Sequence, residues 1–303
     1  MKRREFIKGS CMGLAASLIP CSRHLTAVTP PGKEKYDLVA VRGGEAEAMF
    51  ERAISELGGI EAFVKKGQKV VVKPNIGWDA PPARAADTNP GLVAHIIKSC
   101  LQAGAGEVAV FDHTCDAWEG CYKNSQIEEF ARKAGAKVIP GNNESFYREV
   151  TIPGGKSLKT AKVHQALLDA DVFINVPILK HHSSTIVTLS MKNLMGVVWD
   201  RRYYHRNDLS QCIADFLTFR APDLNIVDGY RMLARNGPRG VSESDVVDLK
   251  ALIAGRDIVA VDSAATLMFG KEPQEINHIK IANDMGLGTM NLENVSISRI
   301  KMS

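Results

Sequence analysis

Short apolar runs rich in valine and isoleucine recur along the chain, separated by stretches of helical periodicity. This alternation is what most restricts its fold. Residues 38–41, 69–73, 108–111, 171–176, 224–228 and 249–254 read as strands. Val70-Val71-Val72 shows no polar alternation, which marks a strand covered on both faces. Between the strands, residues 45–57, 90–103, 125–134, 208–220, 257–269 and 273–285 have helical spacing. Asn89-Pro90 supplies a cap followed by proline at the first helical position, and Gly58-Gly59 and Gly104 supply stops. A further strand is expected near residue 138, a short helix over 164–169 and a closing strand over 295–300. Residues 146–152 and 160–163 flank Pro153-Gly154-Gly155-Lys156 as a small β-hairpin insertion. The pattern predicts an α/β class, with a mostly parallel sheet flanked by helices.

In an open α/β sheet, ligands bind beyond the carboxyl ends of the strands. The stretch after the strand at 171–176 holds Lys180, His181, His182, Lys192, Asn193 and His205, so three of the eight histidines fall within 29 residues. Lys73-Pro74-Asn75 and Asp112-His113 follow two other strands; Asp228-Gly229 ends a third and is followed by Asn236-Gly237-Pro238. This repetition predicts one shared cleft. Lysine amines there suit a small anionic ligand, and a lysine can also attach a carbonyl cofactor. Neighbouring cations hold an imidazole neutral, as a base or a ligand for nickel, copper, zinc or iron must be. The expected roles are Lys73 and Lys180 on a carboxylate, with Asn75, Asn193 and Asn236 as further substrate contacts. His113 or His182 is the base, Lys192 a cofactor tether or anion binder, and His205 a metal ligand. Trp199 to Tyr204 reads as a flexible aromatic segment, and Met191, Leu194 and Met195 as core.

The N-terminus is different in kind. Lys2-Arg3-Arg4 precedes Phe6-Ile7-Lys8 and a short apolar run, residues 11–20, too short for an ordinary membrane span. This resembles a twin-arginine export signal, and implies the export machinery as a partner and residues 1–35 as signal and linker before a domain over 36–303. Leu18-Ile19-Pro20-Cys21 resembles a bacterial lipoprotein cleavage box, which would lipidate Cys21 and attach the protein to a membrane. Pro20 departs from the usual small residue, and Ala27 is the alternative cleavage point. Lys2, Arg3, Arg4 and Lys8 against Glu5 give residues 1–21 a net +3 of the total +4, leaving +1 for the rest. The mature chain therefore has no electrostatic footprint for nucleic acid. Cys100, Cys115, Cys121 and Cys212 show no C-x-x-C spacing, so no iron–sulfur or zinc-ribbon motif is present. Cys115 and Cys121 could pair in an oxidising compartment.

Lys73-Pro74-Asn75, Thr88-Asn89-Pro90, Leu179-Lys180-His181-His182, the run from Leu189 to Gly196, Val227-Asp228-Gly229, Asn236-Gly237-Pro238 and Ala260-Val261-Asp262 stand in an order that resembles the domain-of-unknown-function 362 (DUF362) family over about residues 36–290. A second resemblance, to the nickel-pincer lactate racemase family, rests on His182 ten residues before Lys192 and His205 thirteen after it, with His113 after an early strand. In that family the lysine joins the pincer cofactor and the downstream histidine binds nickel. Thr188-Leu189-Ser190-Met191 stands where it has a glycine-rich run, and Asn193 where it has a small residue. Together these imply an exported enzyme that moves a proton or hydride on a small carboxylate or other anion, with a divalent metal or nickel-pincer nucleotide. The alternative is a non-catalytic exported lipoprotein that binds an anion or metal.

Overall fold

In the computed structural model, which describes residues 36–303, the valine runs occupy the middle of a sheet covered on both faces. The strands are β1 (Leu38–Arg42), β2 (Lys69–Pro74), β3 (Glu107–Val110), β4 (Lys137–Val138), β5 (Tyr147–Thr151), β6 (Thr160–His164), β7 (Val172–Val176), β8 (Ile178–His182), β9 (Ile186–Thr188), β10 (Leu224–Leu233), β11 (Val246–Gly255) and β12 (Ile297–Lys301). The main sheet runs β12-β1-β11-β10-β7-β2-β3-β4, with β8 on β10 and β9 on β8. The β10-β7-β2-β3-β4 stretch is parallel throughout. β11 is antiparallel to both β1 and β10. β5 and β6 form the separate antiparallel hairpin that the turn sequence predicted.

Alternate side chains of one strand enter different cores, as the period of two requires. Val70, Val72, Val108, Val110 and Ile174 pack under the helices Ala46–Glu56 and Pro90–Gln102. Val71, Ala109, Phe111 and Phe173 pack on the opposite face with the helices Leu209–Phe216, Ile258–Phe269 and Asn277–Asp284. The Asn89 cap is made: its side chain accepts from the Gly91 and Leu92 N–H groups.

Several expectations shift. The strand expected to end at Asp228 runs on to Leu233, because Asp228 and Gly229 pair with Leu252 and Ala251 and the irregularity comes only after Gly229. Lys180 and His182 do not stand past a strand end. The chain resumes after Pro177 as β8, still alongside β10. The segment read as flexible is a helix, Arg201–Arg206, started by Asp200, whose side chain accepts from the Tyr203 N–H, and held by buried Tyr204. The helix expected over 273–285 divides into a 3-10 turn, Pro273–Glu275, and the helix Asn277–Asp284. The helix Trp118–Asn124 was not expected. Cys115 and Cys121 are both free. The export signal and Cys21 lie outside the described residues. No described helix is long and apolar enough to cross a membrane.

Ile174 is fully buried. Ile174→Ala is expected to lower unfolding free energy by about 2–5 kcal/mol in urea titration. Val72→Asp, a charge in the core under the helices Ala46–Glu56 and Pro90–Gln102, is expected to leave no folded protein by circular dichroism.

Candidate functional site

Segments from β2, the turn after β3, β8 and the short helix after β9 converge on one cleft of about 1150 Å³. β2 delivers Lys73 and Asn75; the turn after β3 delivers Asp112, His113 and Cys115; β8 delivers Lys180 and His182. The two β8 residues are two apart and so share a face. His181 points the other way, where its Nδ1 accepts from the Gly237 N–H (3.0 Å). The helix Ser190–Asn193 brings Lys192 and Asn193, and Trp199, Arg201 and His205 also line the cleft.

The floor is a frame of paired polar groups. The Lys73 ammonium donates to Asn193 Oδ1 (2.9 Å) and the Pro74 carbonyl (2.8 Å) and forms an ion pair with Asp112 Oδ1 (2.9 Å). Burial pushes the Lys73 amine below its usual value, and the Asp112 charge opposes that shift. The second Asp112 oxygen accepts from the Ile76 N–H (2.7 Å). Asn193 Oδ1 also accepts from Asn75 Nδ2 (2.9 Å), while its own Nδ2 donates to Asn175 (2.8 Å) and to the Lys73 carbonyl (3.3 Å). Asn175 passes the chain on to Asn225 (3.0 Å). Lys180 donates to Asn75 (2.9 Å) and to the Ala86 carbonyl. Gly196 must be glycine here, because a Cβ would stand 1.8 Å from Asp112 Oδ1 and 2.8 Å from Lys73 Nζ.

The helix bearing Lys192 is only four residues long, too short to form by itself. Asp262, fully buried on the helix Ile258–Phe269, holds its start by accepting from the Ser190 (2.7 Å) and Met191 (2.9 Å) N–H groups. Burial raises the Asp262 carboxyl to about 7, against the pull of those bonds.

Above the frame stand groups with free valence. Lys192 makes no hydrogen bond or ion pair with any described residue, and burial lowers its amine to about 8. His182 is lowered to about 2, chiefly by burial and then by the charges of Lys192 and Lys180. Its Nδ1 accepts from the Ser184 N–H (3.0 Å), so the neutral ring carries its proton on Nε2. His113 is neutral in the opposite tautomer. Its Nδ1 lies 2.9 Å from the Val198 carbonyl, which can only accept, so Nε2 keeps a lone pair. Burial and the Arg201 guanidinium lower its pKa, and its ring lies flat on Trp199 (4.8 Å, 3°). His205 is exposed at the rim, its pKa lowered by burial and then by Lys192 and Arg201.

Of the predicted site residues, His113, His182, Lys192 and His205 share the cleft with freedom to act. Lys73 and Asn193 border it but are fully bonded, so neither is open to ligand. Lys180 and Asn75 border it with part of their capacity spent. Asn236 is not in the cleft: exposed in a turn, it donates to Asp245 Oδ1 (2.8 Å). Among the described residues no group of three or more His, Cys, Asp or Glu side chains is placed to hold a metal. Arg201 carries no local sequence signal, and Asp262 is marked only as part of the Ala260-Val261-Asp262 run, without a role; their partners are 88 and 72 residues away.

Residues 70–266 match the family model described as "Domain of unknown function (DUF362)". A thylakoid-associated protein of Synechocystis sp. is 25% identical over 252 residues, covering 80% of this chain and 76% of its own length. Among solved structures, the lactate racemase apoprotein from Thermoanaerobacterium thermosaccharolyticum aligns over 83% of this chain at 11% identity with a TM-score of 0.45. A Thermotoga maritima protein aligns over 78% at 12% identity and a TM-score of 0.38. The chain spans 57% and 59% of those two structures.

The two classes of lysine separate experimentally. Lys73→Met leaves Asp112 as an unpaired buried charge and is expected to cost about 3–5 kcal/mol in chemical denaturation. Lys192→Met breaks no bond in the protein and is expected to leave the unfolding midpoint nearly unchanged.

Proposed function

The chain belongs to the DUF362 family, and on that premise we propose that it is an enzyme that binds a small carboxylate or related anion in the cleft and moves a proton at the carbon beside it. One observation carries the reading: two neutral imidazoles of opposite tautomer and an unpaired lysine amine face the same cavity. His113 Nε2 is the base. The His182 Nε2–H is a donor rather than the second base candidate read from the sequence, since its other nitrogen is already an acceptor. The Lys192 ammonium holds the anion, with Lys180 beside it. A cavity of this size exceeds what a small carboxylate fills, leaving room for a cofactor.

The donor set bears on which cofactor. A metal held by protein side chains alone does not fit, for want of three ligands among the described residues. A pincer-type group that brings its own donors fits better: His205 offers an unbonded imidazole, and Lys192 a free amine that would tether the group in place of its anion contact, leaving the anion to Lys180. Such a group, when bound, would supply a hydride acceptor.

Two measurements test the reading. Incubation with 2-hydroxy acids in D2O is expected to wash deuterium into the carbon beside the carboxylate, and His113→Ala to slow this by about 10²–10⁴-fold. Anion binding without wash-in, in wild type and variant alike, would support a binding protein instead. Oxalate affinity is expected to fall as pH rises through about 8, because the Lys192 amine is charged below that value and neutral above it. Lys192→Met should flatten this dependence.

Export belongs to the same proposal. Arg3 and Arg4 support delivery through a receptor that reads the guanidinium pair, and the thylakoid-associated relative is compatible with work near a membrane. A reporter fused to residues 1–35 is expected to lose translocation when both arginines become lysine. If the exported protein is membrane-bound, Cys21→Ala should release it.

A further inference from the structure

We infer that Cys115 is a second reactive group of the cleft, a nucleophile for small carboxylate-bearing electrophiles such as 2-oxo acids; the inference rests on the reading of the cleft as a carboxylate site. The four described cysteines divide sharply. Cys100, Cys121 and Cys212 are fully buried, whereas Cys115 is exposed and lines the cleft. Exposure in electropositive surroundings is what separates reactive from inert cysteines. Cys115 has those surroundings. Arg201 Nη1 donates to its Sγ at 3.1 Å. The same guanidinium is fixed by the His113 (2.9 Å) and Thr114 carbonyls, so it is held on the sulfur rather than swinging in solvent. Cys115 shares the lining of this cleft with Lys73, Lys180 and Lys192. Lys192, with no bond to any described residue, supplies the positive end that a ligand's carboxylate requires.

The chemistry is an addition. The thiol gives its proton to water in the open cleft. The sulfur forms a bond to the carbonyl carbon of the 2-oxo acid, and the carbon–oxygen π pair moves onto oxygen. That oxygen takes a proton from the Lys192 ammonium, which solvent restores. No electron donor or acceptor is needed, and the reverse step frees both partners. The backbone keeps the sulfur in place: the Cys115 N–H donates to the Gly77 carbonyl (2.8 Å), tying the turn after β3 to the loop after β2.

The test compares a charged and a neutral alkylating agent on the purified full chain. Iodoacetate carries the carboxylate and iodoacetamide does not. Labelling of Cys115 is followed by peptide mass, with the three buried cysteines as internal controls. The iodoacetate-to-iodoacetamide rate ratio at Cys115 is expected to exceed that of a neutral unstructured cysteine peptide by at least about tenfold, as cationic clefts steer anions. Lys192→Met should lower that ratio several-fold, and millimolar glyoxylate should slow iodoacetate labelling. A ratio equal to the peptide's, a ratio indifferent to Lys192→Met, or no labelling by either reagent overturns the inference. If those results accompany retained deuterium wash-in and oxalate binding, the Cys115 assignment falls alone. If wash-in and oxalate binding are also absent, the reading of the cleft falls with it.

Discussion

The Lys73–Asp112 pair, buried at the carboxyl ends of two adjacent parallel strands, is the contact on which the site is built. Two charges taken out of water cost several kcal/mol each unless every remaining hydrogen-bonding position is met. The structure meets them by drawing in Asn193 from a helix 120 residues further along, and the Pro74 carbonyl and Ile76 N–H from the chain beside β2. Gly196 follows from the same constraint, since the chain passes so close to the pair that no side chain can be carried there. Satisfying one ion pair thus fixes where the segment after β9 lies, and with it Lys192.

From that frame follows a division of labour among lysines that look alike in the sequence. Lys73 is spent on structure, Lys180 is partly spent, and Lys192 is free. Three contacts, to Asp112, Asn193 and the Pro74 carbonyl, separate the first from the last, and the helix that carries the Asn193 amide into the frame carries the Lys192 amine into the cleft. Asp262 makes this reliable by holding the first N–H groups of a helix that would not persist alone. The same logic separates the histidines. Backbone groups choose their tautomers, a carbonyl at His113 and an N–H at His182, so two rings of the same kind offer the cleft a lone pair and a proton respectively.

The sequence by itself determined the class of fold and the edge on which chemistry occurs. Valine runs covered on both faces admit little but a parallel sheet between helices, and polar residues gathered at the ends of such runs mark its carboxyl edge. The Asn89-Pro90 start, the 153–156 turn and the core placement of Met191, Leu194 and Met195 were legible because each depends on near neighbours or on apolar burial. Roles within the cleft were not legible. That Lys73 is locked and that Arg201 lies on Cys115 depend on partners 120 and 86 residues away, whereas the His182 proton and the turn of Asn236 to Asp245 depend on turn contacts two and nine residues away whose geometry the residue types alone do not specify. Hydrogen-bond valence is used up by partners in space, and only the tertiary structure decides which donors and acceptors remain for a ligand.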